Sequence, residues 1–351
     1  MLSRVADNLY WMNRFVERAE GVTRLVEVKR DTNLEAEVKG DNRDYWRSAL
    51  QAMCATEGTE DEDLNDPESF ILFSKSWPSS VINCINQARE NARMVRDQLS
   101  EEIWVELNNL YLFLNSSGAQ EAYGQDSSNF FRRVIRFSLV FQGLSDATIH
   151  QDEGWLFMSL GKYLERADQT SRALDTLTLL GSEPSRLDLI GVLRICSARS
   201  AYRKRYRGDL NLRNVADFLL FSQDFPRSVR FAIRRIDSNL HDISGVPAGN
   251  FSNEAERLTG SALAQFNFSG IDAMLETGLH ASIDQLQKKS KLFQGMTLDF
   301  LIVKTKNGEA AKIAQFVGKK DKRVVQVDAK FYQSGFAKHF NVVQKLVKEN
   351  M

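Results

Sequence analysis

Residues 14–25 read RFVERAEGVTRL, and residues 162–173 read KYLERADQTSRA, 148 positions later. Glu17, Arg18, Ala19 and Arg24 stand unchanged as Glu165, Arg166, Ala167 and Arg172. The same offset returns between FILFSKSWPSSV at 70–81 and FLLFSQDFPRSV at 218–229, which agree at seven of twelve positions. Two separate anchors at one spacing imply an internal duplication. The expected organisation is a first repeat over 1–148, a second over 149–295, and a tail over 296–351 of different character.

The chain has only five prolines, each where an apolar-periodic run begins or ends, a punctuation that suits long helices. The fold class expected is all-α: an internally duplicated helical bundle with pseudo-twofold symmetry. Apolar periodicity predicts helices near 3–29, 41–54, 67–75, 79–98, 101–115 and 128–147, then 152–177, 185–204, 212–222, 226–243 and 252–293 with breaks. On a helical wheel Asn13, Glu20 and Arg24 gather around Glu17, with Met12, Phe15, Ala19 and Val26 opposite. This reads as an ordinary amphipathic helix, repeated around Glu165 with Asp168 and Arg172. In SWPSSV and DFPRSV an aromatic, a Pro and then Ser suggest a sharp corner with the Pro in the first turn of a new helix. From about residue 297 the β-branched runs TLDFLIVKT and RVVQVDA point to a C-terminal appendage with possible β structure.

At 351 residues the chain can bury a large core without disulfide or metal staples. Its three cysteines, Cys54, Cys84 and Cys196, have no CxxC spacing, which argues against a disulfide framework or a zinc site and fits a reducing cytoplasm. No signal-peptide pattern or membrane-length apolar run is present, so a soluble, cytoplasmic protein without membrane contact is expected. A formal net charge of zero hides an acidic first half, with 16 Lys/Arg against 24 Asp/Glu in 1–148 and 19 against 17 in 149–296.

Neighbouring residues on a helix point about 100° apart, so Glu17-Arg18 and Glu165-Arg166 cannot pair within their own dipeptides. Arg18 leans towards Trp11, Val22 and Leu25, and Arg166 towards Ser159, Thr170 and Ala173. A partly buried guanidinium requires an anion, either a carboxylate of a neighbouring helix or a bound ligand. In INQARENARMVRDQL, Arg89, Arg93 and Arg96 fall on one helix face beside Glu90, Asn91 and Asp97. Their anion would be the acidic segment TEGTEDEDLND at 56–66, or a phosphate or carboxylate held bidentately. SARSAYRKRYRGD at 197–209 interleaves basic residues with two tyrosines, a weak nucleic-acid pattern that the zero net charge opposes; at the 148 offset it stands opposite the acidic segment of the first half, so intramolecular complementarity is an equal expectation. The four histidines are scattered, no glycine-rich phosphate loop is present, and the residues call for no cofactor. A carboxylate-only metal site would draw on Glu17, Glu165, Asp152 and Glu153.

Together LSRVADNLYWMNRFVERAE, ARENARMVRDQLSEEIWVELNNLYLFL, DEGWLFMSLGKYLERAD and VADFLLFSQDFPRSVRF resemble the alpha-E family, bacterial all-helical domains named for a Glu-Arg motif. The resemblance covers roughly residues 1–290. It implies a helical protein associated with circularly permuted ATP-grasp ligases and transglutaminase-like peptidases, with one of these as protein partner and a role in making or modifying peptides. The namesake residues map onto Glu17, Arg18, Glu165 and Arg166, and the family's Arg-Glu-Asn cluster onto Arg89, Glu90, Asn91 and Arg93. Two functions follow as expectations: a non-catalytic helical partner of an amide ligase, or an enzyme or carrier that binds an acidic peptide or phosphorylated intermediate through its arginines, with Glu17 or Glu165 as acid-base group.

Overall fold

A computed structural model describes residues 1–35, 46, 49–50, 65–180 and 182–288. Among the described residues all regular structure is helical. The order is α1 Ser3–Glu35, α2 Pro67–Phe73, α3 Val81–Met94, a 3-10 turn Arg96–Gln98, α4 Glu101–Leu114, α5 Ala119–Gln125 and α6 Ser127–Thr148. Then come α7 Glu153–Thr178, α8 Arg186–Ile195, α9 Arg199–Tyr206, α10 Leu212–Phe221, α11 Val229–Ser244, α12 Glu254–Phe268 and α13 Ile271–Thr277, followed by helical residues 279–288. The helix expected at 41–54 lies outside the described residues except for buried Trp46, Ala49 and Leu50, and so does the tail from 296.

The two longest helices, α1 and α7, pack along each other at the centre, with α3 against α1 and α11 against α7. Two apolar cores flank this pair. Leu9, Met12, Val16, Ala19, Val22 and Val26 of α1 join α2–α6 in one, and Phe157, Leu160, Leu164 and Leu174 of α7 join α8–α12 in the other. Some residues cross over: Ala6, Tyr10, Leu25 and Val28 of α1 sit in the second core and Met158 of α7 in the first, and Tyr10 and Met158 are 148 apart. Close approach of the two helices depends on Gly161, where a Cβ would lie 2.2 Å from the carbonyl oxygen of Tyr10.

The two corners are built alike. Ser80 and Ser228 cap α3 and α11 by accepting from the backbone N–H of Asn83 and Phe231, and each hydroxyl donates back to the carbonyl of Ser74 or Ser222 at the end of the preceding helix. The same ring pair packs inside each, Phe70 on Trp77 and Phe218 on Phe225. Ser80 and Ser228 donate backbone N–H to Trp77 and Phe225, closing a four-residue turn with Pro at its second position. Pro78 and Pro226 therefore belong to the turn and not to the first turn of a helix: their fixed φ sets the turn, and the cap falls on the Ser two residues later.

Three further expectations are corrected. The helix expected over 185–204 breaks at Ser197, which adopts φ 52° between α8 and α9. The helix expected over 79–98 ends at Met94, so Arg96 leaves the face of Arg89 and Arg93. Finally, α1 and α7, expected as ordinary amphipathic helices, bury their polar residues as well as their apolar ones. Asn13, Arg14, Glu17, Glu20, Glu165 and Asp168 are buried with the apolar residues, because the polar face of each helix is turned onto the other half and not onto solvent.

Candidate functional site

The polar faces of α1 and α7 meet in a seam of charges. Arg18 donates Nε and Nη2 to Glu165 at 2.7 and 2.9 Å, and Arg166 donates the same two nitrogens to Glu17 at 2.9 and 2.7 Å. Each Glu-Arg dipeptide thus serves the other's opposite charge. Each guanidinium also lies over the ring three residues before it, Arg18 over Phe15 and Arg166 over Tyr163, at 5.8 and 5.7 Å from the ring centroids. Such packing satisfies a guanidinium's edge with a carboxylate and its face with a ring.

Beyond this reciprocal core the halves differ. Arg14 adds Nε and Nη2 bonds to Glu165 at 2.9 and 2.7 Å, and Gln169 adds one at 3.1 Å, so Glu165 accepts from three side chains. Position 162, 148 after Arg14, holds a lysine, which lies 3.7 Å from Asp146. Glu20 accepts from Arg24 of its own helix at 2.8 Å, Arg227 of the second corner at 2.6 Å, and Ser138 of α6 at 2.7 Å. Asp168 accepts from Arg172 at 2.7 Å. Burial alone would raise Glu165 and Glu20, but Arg18 and Arg14 hold Glu165, and Arg227 and Arg24 hold Glu20, below the usual carboxylate range.

Arg14, Arg227 and Ser138 were not among the residues expected here. Arg14 carried a signal in its conservative alignment with Lys162. Arg227 carried none, since its counterpart is Ser79 and its partner lies 207 residues away.

The remaining candidates lie elsewhere. Arg89 donates to Glu90 at 2.6 Å and packs over Tyr111 and Trp104, Arg93 donates to Glu90 at 3.0 Å, and Arg96 packs over Trp104. Asn91 bonds its own helix at the Gln87 carbonyl. The arginine stripe is thus answered locally by Glu90 and by rings, while residues 56–64 of the acidic segment lie outside the described residues. Asp152 caps α7 by accepting from Gly154 N–H at 2.8 Å, and Glu153 accepts from the Met1 amino group. No three potential metal-ligating side chains converge among the described residues, and Glu17 and Glu165 face guanidinium groups, which repel a cation. The carboxylate-only metal site is therefore not assembled.

In the basic run, Tyr202 and Tyr206 stack on each other and turn inward, donating to the Asp209 carbonyl and the Asp217 carboxylate. Tyr202 is buried in this stack and Tyr206 half-buried. No described helix is long and apolar enough to cross a membrane.

The family model for Alpha-E, a predicted alpha-helical domain with a conserved ER motif, matches residues 1–296. The chain belongs to the Alpha-E family. Two of its Glu-Arg dipeptides, Glu17-Arg18 and Glu165-Arg166, form the crossed pairs of the α1–α7 seam, and a third, Glu256-Arg257, lies on α12. The Alpha-E chain is also similar to uncharacterized proteins of Mycobacterium bovis and Mycobacterium tuberculosis, 25% identical over 308 residues. A further Mycobacterium tuberculosis protein is 24% identical over the same length. In each case 81% of this chain aligns with 34% of the relative, so the Alpha-E chain spans about a third of the length of these relatives. No solved structure matches it.

Proposed function

We propose that this chain is a non-catalytic helical partner in a system that makes or modifies peptides, docking beside an ATP-grasp amide ligase. The observation that carries the non-catalytic reading is the state of the motif carboxylates. Glu17 and Glu165 are buried and bonded to guanidinium groups, and Glu165 is held so far below neutrality that it carries no proton to donate. A general base also needs free lone pairs facing a substrate, and these carboxylates face arginines. The partner reading is supported by length: in the mycobacterial relatives a stretch of this kind is joined to about twice as much further chain. The ligase as partner follows from the family resemblance. A reducing cytoplasm fits the two buried free thiols, Cys84 and Cys196, which burial pushes up to about 12.

The same reading takes the chain as a doubled unit, 1–148 and 149–295, related by an approximate twofold axis through the α1–α7 contact. It is supported by the reciprocal Glu-Arg pairs, the crossed Tyr10 and Met158, and the twin corners. Reciprocal contact of i with j and j with i is the signature of an isologous interface.

The test is co-expression with the cognate ligase, followed by size-exclusion chromatography and an amide-forming assay. Co-elution together with ligase activity that depends on this chain is expected. Absence of a complex, with a ligase fully active alone, overturns the partner reading. A Glu17→Gln chain that keeps its melting temperature yet abolishes function would instead install Glu17 as an acid-base group.

A further inference from the structure

The basic run 199–207 is left unused by the seam. We propose that α9 and the turn after it form a docking ridge for a short acidic segment of a partner polypeptide, with carboxylates at alternate positions. Arg199, Arg203, Lys204 and Arg207 are all exposed, and Ser200, Arg203, Lys204, Arg207 and Gly208 line an open groove. Among the described residues none of these four cations lies within ion-pair distance of a carboxylate. Their surroundings make this unusual. Arg194 just before them pairs with Asp31, and Arg213 just after pairs with Asp272 at 2.7 Å. Asp209, the carboxylate within the run itself, is turned away to accept from Asn211 and Asn214 at 3.2 and 2.9 Å.

The ridge is held rigid from within. Tyr202 and Tyr206 fasten the inner face of α9 through their stack and their hydroxyl bonds, which leaves the cations outward. Arg207 adopts a left-handed backbone, φ 51°, with Gly208 following at φ 88°. An L side chain enters that region at a conformational cost that a glycine would avoid, and no described ion pair offsets it. Arg207 thus holds its guanidinium outward with no carboxylate answering it among the described residues.

Geometry selects the occupant. Arg199 and Arg203 stand one turn apart on α9, about 6 Å along the helix axis, and Arg207 follows in the left-handed turn after it. Alternate side chains of an extended peptide stand about 6.8 Å apart on one face, close to this spacing, and each guanidinium can take a carboxylate bidentately. A nucleic acid fits less well. The tyrosines are turned in, and the ridge is short for a phosphate-tracking surface.

The experiment uses the full chain and a fluorescein-labelled 12-residue peptide of alternating Glu and Ser, read by fluorescence anisotropy at low and high salt. Expected is saturable binding at low salt, weakened at least tenfold by Arg203→Ala with Arg207→Ala and by high salt. Arg207→Gly separates ligand use from folding: it should weaken the peptide while the melting temperature holds or rises by about 2 °C. The proposal is overturned by absence of binding at millimolar protein, by binding that the double variant leaves intact, or by tighter binding of a thymidine 12-mer. Sedimentation showing ridge-dependent self-association at low salt would assign the surface to a second copy and likewise overturn it.

Discussion

Replacing Glu165 by Gln tests whether the seam holds the two halves together by charge. The change keeps the side chain's shape and removes its charge from beneath two guanidinium groups. The Arg14 side chain is 3% exposed and that of Arg18 20%, and Glu165 itself is fully enclosed. Removing one partner of a buried pair costs about 3–5 kcal/mol, because the remaining charge stays desolvated without an answer. Here two cations are stranded, the deeper one wholly inside, and the new amide N–H₂ group would face a guanidinium. The cost therefore belongs at the upper end, about 5 kcal/mol, which lowers the melting temperature by about 10 °C for a domain of this size. Glu17→Gln strands only Arg166, whose side chain is 12% exposed, and should cost about 2–3 kcal/mol. Urea denaturation followed by circular dichroism at pH 7 gives both values. The reasoning fails if Glu165→Gln costs under about 1 kcal/mol, or if it proves milder than Glu17→Gln.

Other perturbations probe neighbouring features. Gly161→Ala should destabilise by about 3 kcal/mol in the same denaturation assay, although alanine is the better helix former, because the backbone carbonyl of Tyr10 cannot swing aside. Gly191→Ala, whose Cβ would meet Val28 Cγ1 at 3.4 Å, should be nearly neutral. Burial pushes Asp7 up to about 6 against the opposing hydrogen bond from Trp11, and its Oδ1 has no partner among the described residues. The folded state therefore holds this proton more tightly than the unfolded chain does, and stability is lost as pH rises from about 4 through 6. Asp7→Asn should accordingly gain about 2 kcal/mol at pH 7.5 and nothing at pH 3.5, by melting curves at both values. Glu165 and Glu20 act with the opposite sign. Their folded values lie below the unfolded one, so their stabilisation is complete above about pH 4.5 and drains away as pH falls further. A pH series of unfolding free energies should show this acid slope, and Glu165→Gln should flatten it.

Much of this architecture could be read from residue order. The offset of 148 paired the positions that cross between cores and the serines that cap both corners. The helical wheel showed that Glu17 and Arg18 must each seek a partner elsewhere, and that inference holds in the seam. What order could not supply was the partner. Arg227 reaches Glu20 only because the second corner folds back over α1, a contact made by tertiary packing alone. The wheel separated the polar from the apolar residues of α1, but periodicity does not say what covers either face. Tyr202 and Tyr206 alternate with arginines in the sequence, and only the helix shows that their rings stack with each other on one side while the cations lie on the other. The break at Ser197 had no Gly or Pro to announce it.

The exchange of charges across the α1–α7 seam makes each half a debtor to the other. A chain severed near Gln151 would yield an N-terminal piece with Glu17 facing no cation from α7, and a C-terminal piece with Glu165 deprived of both Arg14 and Arg18. Neither piece could fold without enclosing an unanswered ion, yet mixed in equal amounts each holds what the other lacks. Fragment complementation, with structure and solubility appearing only at one-to-one stoichiometry, is the behaviour such mutual dependence dictates.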